Sequence, residues 1–168
     1  MGARARHCWC LALALAACTP EPGLVADEAP SGPSVRLEAE VDGSTAALRV
    51  LGQGLGSVFG LSLHVHVDHE LVRIEVFQAA PVLGEGAVLL ARARDADIAL
   101  GGTRPSREAG EVELEDGVLG SVVLGRVELS ARAAGSSRVE VVDALARRVD
   151  GSFVPLAAAG GVLTLEAP

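Results

Sequence analysis

The sequence predicts an all-β protein, an antiparallel β-sandwich of about eight or nine strands. The first observation is that short stretches of alternating apolar and polar residues recur at intervals of roughly a dozen residues. The second is that Gly and Asp turns separate these stretches, and only residues 137–149 also fit a helical spacing. The third is composition: 49% of the residues are hydrophobic and 2% are aromatic. Aliphatic side chains are therefore abundant enough to fill a core between two sheets.

The N-terminal residues have the pattern of a secretory signal. Arg4 and Arg6 precede an apolar run that is shorter than the roughly 20 residues a membrane-spanning helix needs. The run ends in Leu-Ala-Ala-Cys at 15–18, which resembles a bacterial lipobox, where small residues precede a cysteine that accepts lipid. We expect 1–17 to be a signal peptide and Cys18 to be the lipidated N-terminus of a bacterial lipoprotein. An ordinary secretory signal cut nearby is the alternative.

Residues 18–34 are rich in Pro, Gly, Ser and acidic residues and show no periodicity, which predicts a flexible tether before a domain at 35–168. All three cysteines lie within the first 18 residues, so no disulfide is expected in the domain. A net charge of −8 disfavours nucleic acid and anionic lipid, so we expect membrane attachment through the lipid alone. The expected location is the bacterial cell envelope, at the outer membrane because Thr19 rather than an acid follows Cys18; the domain would be periplasmic or surface-exposed.

The domain divides into predicted strands and turns. In the region 118–132, the pattern places Val123, Val127 and Leu129 inside and Arg126 and Glu128 outside. Asp-Gly pairs at 42–43 and 150–151 predict turns, and 101–110 is predicted to be a loop. The predicted strands are 35–42, 46–50, 58–68, 72–76, 87–94, 112–115, 118–132, 139–141 and 162–166.

The clearest alternation, over 58–71, carries three of the four histidines. Leu61, Leu63, Val65 and Val67 are predicted to face the core, whereas the other face is polar. The residues on that polar face are Ser62, His64, His66 and Asp68. This face is the best candidate for a functional site.

The order of these features resembles the cohesin family, the sandwich modules that bind dockerins. Gly60 followed by alternating apolar residues to Asp68 and a Leu-led strand at 71–76 is similar to the family's hallmark strand pair. Residues 117–129 and 150–165 are similar to its later strand and closing hairpin. His69 stands where the family usually has Pro. The resemblance implies a cohesin-like jelly roll, with Ser62, His64 and His66 on the sheet that contacts a dockerin-like or other protein partner.

Three other functions compete with protein binding. His64 and His66 project from one face with Cβ atoms about 7 Å apart, which suits a Zn or Cu site that His69 or Asp68 would complete. A calcium site at Asp95 and Asp97 has weaker support. No serine elbow appears, so we expect no enzyme. A carbohydrate-binding module is the third possibility, although no Trp or Tyr follows Cys18 to stack on sugars. The sequence favours a lipid-anchored, non-catalytic binding or scaffold module without a cofactor, and a metal-binding lipoprotein is the alternative.

Overall fold

The computed structural model describes residues 21–55, 58–80, 83, 88–103, 121–148 and 150–168. The described residues form twelve strands. They are β1 (Gly23–Ala26), β2 (Ser34–Asp42), β3 (Thr45–Gln53), β4 (Gly60–His66), β5 (Val72–Ala79), β6 (Val88–Arg94), β7 (Asp97–Thr103), β8 (Ser121–Ala131), β9 (Gly135–Arg147), β10 (Phe153–Pro155), β11 (Ala157–Ala158) and β12 (Gly161–Leu165). None of the described residues belongs to a helix long and apolar enough to cross a membrane.

The strands form two sheets packed face to face, which confirms the predicted β-sandwich. The seven-stranded sheet has the order β1-β12-β9-β4-β7-β6, with β10 paired to β9, and the five-stranded sheet has the order β11-β2-β3-β8-β5. All pairs are antiparallel except β11 with β2. The largest fully buried side chains come from both sheets: Leu37, Leu48, Leu63, Ile98, Leu124, Leu129 and Leu163. Burying each such leucine contributes about 1.5–3 kcal/mol, so this interface between the sheets is the main source of stability.

The Asp-Gly turns lie where the sequence places them. Gly43, in the hairpin between β2 and β3, has a φ of 56°, and Gly151, in the turn before β10, has a φ of 83°. Both values fall in the left-handed region that glycine adopts without steric cost. The carboxylate of Asp150 accepts a hydrogen bond from the Ser152 amide at 2.8 Å. Hydrogen bonds from Ser152 lower the pKa of Asp150 below its ordinary value.

A β-bulge overturns one predicted core position. Val123 is 39% exposed, and the neighbouring Leu124 is buried instead. The ladder between β3 and β8 pairs Val50 with Gly125 but Leu51 with Val123, so Leu124 is an extra residue in β8. One extra residue reverses the alternation of the strand beyond it. Val127 and Leu129, on the other side of the bulge, are buried as predicted.

The prediction of a structureless tether is wrong for Gly23–Ala26, which form β1 and pair with β12. The guanidinium of Arg138 on β9 donates to both carboxylate oxygens of Asp27, one at 2.9 Å. This hydrogen bonding holds the pKa of Asp27 below its ordinary value of 3.8. Backbone pairing and an ion pair thus fix a short segment that has no amphipathic pattern of its own.

The structure also changes two other assignments. The predicted loop at 101–110 begins too early, because β7 continues to Thr103. Residues 137–149, which fit both helix and strand spacings, belong to the long strand β9 as far as Arg147. The signal peptide at 1–17, Cys18 and the predicted strand at 112–115 lie outside the described residues.

Candidate functional site

The candidate site lies on the outer face of the seven-stranded sheet, centred on β4. Leu61, Leu63 and Val65 are buried in the core, with at most 7% of their surface exposed. Ser62, His64 and His66 alternate with them and point outward. The predicted alternation of this strand is therefore confirmed, and β7 and β9 flank β4 on either side.

His64, His66 and Asp97 form a compact group, called here the His–Asp cluster. Nδ1 of His64 lies 3.1 Å from each carboxylate oxygen of Asp97. Nε2 of His66 lies 3.2 Å from Oδ1 of the same carboxylate. The two imidazole rings are stacked, with centroids 6.2 Å apart and planes 22° apart. Both imidazoles therefore converge on one carboxylate.

Strand register places Asp97 in the His–Asp cluster. A tight turn at Asp95 and Ala96, with Asp95 at a φ of 48°, returns the chain from β6 into β7. Asp97 is then the first residue of β7 and lies directly opposite His66 on β4. Residues directly opposite in an antiparallel pair have Cβ atoms about 4.5–5.5 Å apart, close enough for their side chains to touch.

The structure separates Asp68 and His69 from this cluster. The Asp68 carboxylate accepts a hydrogen bond from the Glu70 amide at 2.9 Å, which closes the turn after β4. His69 lies in that turn, and its ring does not belong to the group of converging donor atoms found among the described residues. The third donor that meets His64 and His66 is Asp97 rather than His69 or Asp68.

An exposed apolar surface adjoins the cluster on the same sheet face. Leu90 and Val88 on β6 are 69% and 55% exposed, and Phe153 on β10 is 66% exposed. Register connects them in two rows across the sheet. The rows are Leu90–Gly101–Ser62–Leu145–Pro155 and Val88–Thr103–Gly60–Arg147–Phe153.

The centre of these rows is occupied by small residues. Gly101, Ser62 and Gly60 lie between larger side chains on both sides, so the surface is lower along the middle. A Cβ atom built on Gly101 would meet only the Leu61 carbonyl oxygen, at 3.9 Å, which is ordinary contact distance. We call this shallow depression, floored by Ser62 and Gly101, the trough; Gly60 at its end is buried.

A bulge in β9 shapes one wall of the trough. Ser62 pairs with Leu145 and His64 with Val142, so β9 has one more residue than β4 between these points. Asp143 in the bulge has a φ of 52°, a left-handed conformation that Asp tolerates better than most residues. Because of the extra residue, Val142 and Leu145 both lie on the outer face although they are three positions apart. The Arg147 guanidinium lies over the rings of Phe59 and Phe153, 5.7 and 5.9 Å from their centroids.

The outer face of the five-stranded sheet has a different character. Arg36 pairs with Glu38 at 3.1 Å, and Arg49 pairs with Glu40 at 3.2 Å. Exposed ion pairs of this kind are solvated and contribute little to binding or stability. The apolar surface and the His–Asp cluster thus distinguish the seven-stranded sheet as the candidate binding face.

Sequence reasoning identified His64 and His66 but missed most of the remaining residues. Asp97 was considered only with Asp95 as a weak calcium site, and Leu90 was not singled out. A weak signal for the apolar surface exists in the sequence. On one face of this strand, Val88 and Leu90 are followed by Arg92 and Arg94, which is the pattern of an outward face with an apolar end.

Comparisons with known proteins establish the class of fold. No protein-family model matches the chain, and no curated protein matches it. Among solved structures, the sixth cohesin of scaffoldin B from Acetivibrio cellulolyticus, in complex with a dockerin, has a TM-score of 0.61 at 11% identity, covering 81% of this chain and 100% of that one. A non-cellulosomal cohesin from Archaeoglobus fulgidus has a TM-score of 0.59 at 14% identity, covering 80% of this chain and 91% of that one.

A cohesin module from a family 33 glycoside hydrolase of Clostridium perfringens has a TM-score of 0.60 at 10% identity, covering 82% of this chain and 98% of that one. At such low identities the similarity concerns the fold. The domain is a cohesin-like β-sandwich.

Proposed function

We propose that this protein is a non-catalytic binding module that holds a dockerin-like helical module of another protein against the outer face of its seven-stranded sheet. The observation that carries the proposal is the exposed apolar surface around the trough. Solitary exposed apolar residues are common, but here several share one sheet face, with Val88 and Leu90 on β6 and Phe153 across the sheet on β10, and such a grouping marks an interaction site. Solved cohesins with the same fold have been found in complex with dockerins, which supports this class of partner.

The composition of this face suits a protein partner. Phe153 and Arg147 are residue types enriched at the centres of protein interfaces, and they are already stacked on each other. A helix lying along the trough would bury Leu90 on one side and Leu145 on the other. The rim then carries charge, from Arg92 and Arg94 on β6 to Glu140 on β9, which suits the polar border of an interface.

We also propose that the module is lipid-anchored through Cys18 in the bacterial cell envelope, at the outer membrane. The support is the lipobox-like Leu-Ala-Ala-Cys at 15–18 after a short apolar run. Two or more acyl chains hold a protein firmly at a membrane, so no basic surface is needed. The anchor would keep the binding face near the cell surface and available to a second protein.

A photo-crosslinking experiment in the native cell tests the binding face. A benzophenone amino acid replaces Leu90 in one variant and Val123, on the opposite sheet, in a matched control. We expect a protein crosslink through position 90 and none through position 123, and the captured protein should contain a helical docking module. The purified partner should then lose affinity for Leu90→Glu and Phe153→Glu but bind Val123→Glu normally. Crosslinks through position 123 alone, or equal binding by all three variants, would overturn the proposal.

A further inference from the structure

We propose that His64, His66 and Asp97 form a binding site for one divalent transition-metal ion, Zn²⁺ or Cu²⁺, with an open coordination position facing outward. This inference is independent of protein binding, since it follows from the cluster itself. Two imidazole nitrogens and one carboxylate are a common three-ligand set for zinc, and imidazole also suits copper. Calcium is disfavoured because it takes six to eight oxygen ligands.

The distances between donor atoms are close to those a metal requires. Zn²⁺ holds nitrogen and oxygen ligands at about 2.0–2.1 Å, so tetrahedral neighbours lie about 3.3 Å apart. Nδ1 of His64 and Nε2 of His66 already lie 3.1 and 3.2 Å from the Asp97 carboxylate. Taking one ligand atom from each of the three residues, these atoms lie within 4.8 Å of one another. Only the separation between the two imidazole nitrogens has to shorten, by at most about 1.5 Å.

The backbone supports this arrangement, whereas the side chains retain freedom to adjust. His66 and Asp97 are directly opposed in the β4–β7 ladder, and His64 is the next outward residue on β4. Their side chains are 41%, 48% and 37% exposed in the order His64, His66, Asp97. Partial exposure permits small rotations of the rings and provides access for the ion. Two fixed strands therefore hold three ligands at one spot, as a metal site requires.

The position of the cluster gives the open coordination site a use. His64 lies one row from Ser62, on the floor of the trough, so a bound ion would sit at the end of the apolar surface. Water would occupy the fourth position in the free protein. If the binding face works as proposed above, a His, Asp or Glu of the partner would replace that water and link the two proteins through the ion.

The test measures metal uptake by the full-length chain without a polyhistidine tag. Cys8, Cys10 and Cys18 are replaced by serine so that thiolates do not compete for the ion. Equilibrium dialysis against ZnCl₂ or CuCl₂ gives stoichiometry and affinity for this background and for His64→Ala, His66→Ala and Asp97→Asn. His69→Ala is the matched control, because His69 is adjacent in sequence but outside the cluster. Circular dichroism verifies that each variant folds.

We expect one equivalent of Zn²⁺ or Cu²⁺ per chain, with affinity lowered at least about tenfold by each cluster variant and unchanged by His69→Ala. Imidazole NMR signals of His64 and His66 should shift on addition of Zn²⁺, while that of His69 should not. Absence of saturable uptake of either ion, or equal uptake by the background and all three cluster variants, would overturn the proposal. Because no partner protein is present, either result leaves the test of the binding face unaffected.

Discussion

Replacing Gly101 tests whether the trough is an open surface of the folded protein. Gly101 lies within β7 on the outer sheet face, and its φ is not in the left-handed region. A Cβ atom there meets only the Leu61 carbonyl oxygen, at 3.9 Å. Gly101→Ala therefore introduces no clash, and it reduces the conformational freedom of the unfolded chain. We expect the free energy of unfolding to rise by about 0.4–1 kcal/mol.

For a protein of this length, 1 kcal/mol corresponds to about 2–4 °C in Tm, so Gly101→Ala should raise Tm by about 1–4 °C. Gly160→Ala provides the contrast. Its Cβ would lie 2.3 Å from the Val139 carbonyl oxygen, so the backbone must move. We expect this variant to lose at least about 1 kcal/mol. Calorimetry and urea unfolding measure both changes. A loss of stability in Gly101→Ala similar to that in Gly160→Ala would show that the trough is covered in the folded protein.

The same position separates folding from partner binding. Gly101→Arg places a long side chain in the trough while leaving the core untouched, because the position faces outward. Affinity for the partner identified by crosslinking should fall at least about tenfold, which is about 1.4 kcal/mol. Tm should not fall. Undiminished affinity in a folded Gly101→Arg protein would place the interface elsewhere.

Three further predictions concern the core, an edge strand and the anchor. Replacing Leu63, which is 1% exposed, with alanine should lower the free energy of unfolding by about 2–5 kcal/mol, as measured by urea unfolding. A loss under about 1 kcal/mol would contradict the central place of Leu63 in the core. Because Arg138 lowers the pKa of Asp27, the ion pair should stabilise the pairing of β1 at pH values above the ordinary carboxyl pKa. This stabilisation should be lost as the pH falls and Asp27 becomes protonated. Amide exchange at Gly23–Ala26 should therefore be slower in wild type than in Asp27→Asn at about pH 6, and the difference should vanish by about pH 2; a constant difference would exclude the ion pair as its cause. Cys18→Ser should move the protein from the membrane to the soluble fraction on cell fractionation, whereas retention at the membrane would argue against lipidation.

The predicted fold was largely correct because alternation is a local property. In a strand, successive side chains point to opposite faces, so the inward leucines and outward histidines of β4 are readable from sequence alone. The failures occur where non-local geometry intervenes. The bulge in β8 reverses the alternation beyond Leu124 and turns Val123 outward, and β1 pairs with an edge that β12 offers from far along the chain.

The candidate site was only partly predictable for the same reason. His64 and His66 share one strand, and their common face follows from a spacing of two residues. Asp97 is 33 residues from His64 and joins it through the pairing of β4 with β7. The two rows of the apolar surface cross four strands in addition to β4, so no single segment reveals it.

The fold class, the turns and the outward direction of His64 and His66 can all be read from the amino-acid pattern. That Asp97 is their partner, and that Leu90 and Phe153 border the trough beside them, emerges only from the folded chain. Side-chain direction depends on the local backbone, whereas neighbours across a sheet depend on strand order and register. These are set by the hydrogen bonding of segments far apart in the chain. The alternation of β4 can therefore be recognised from the sequence, whereas the group that His64 and His66 form with Asp97 is seen only in the folded protein.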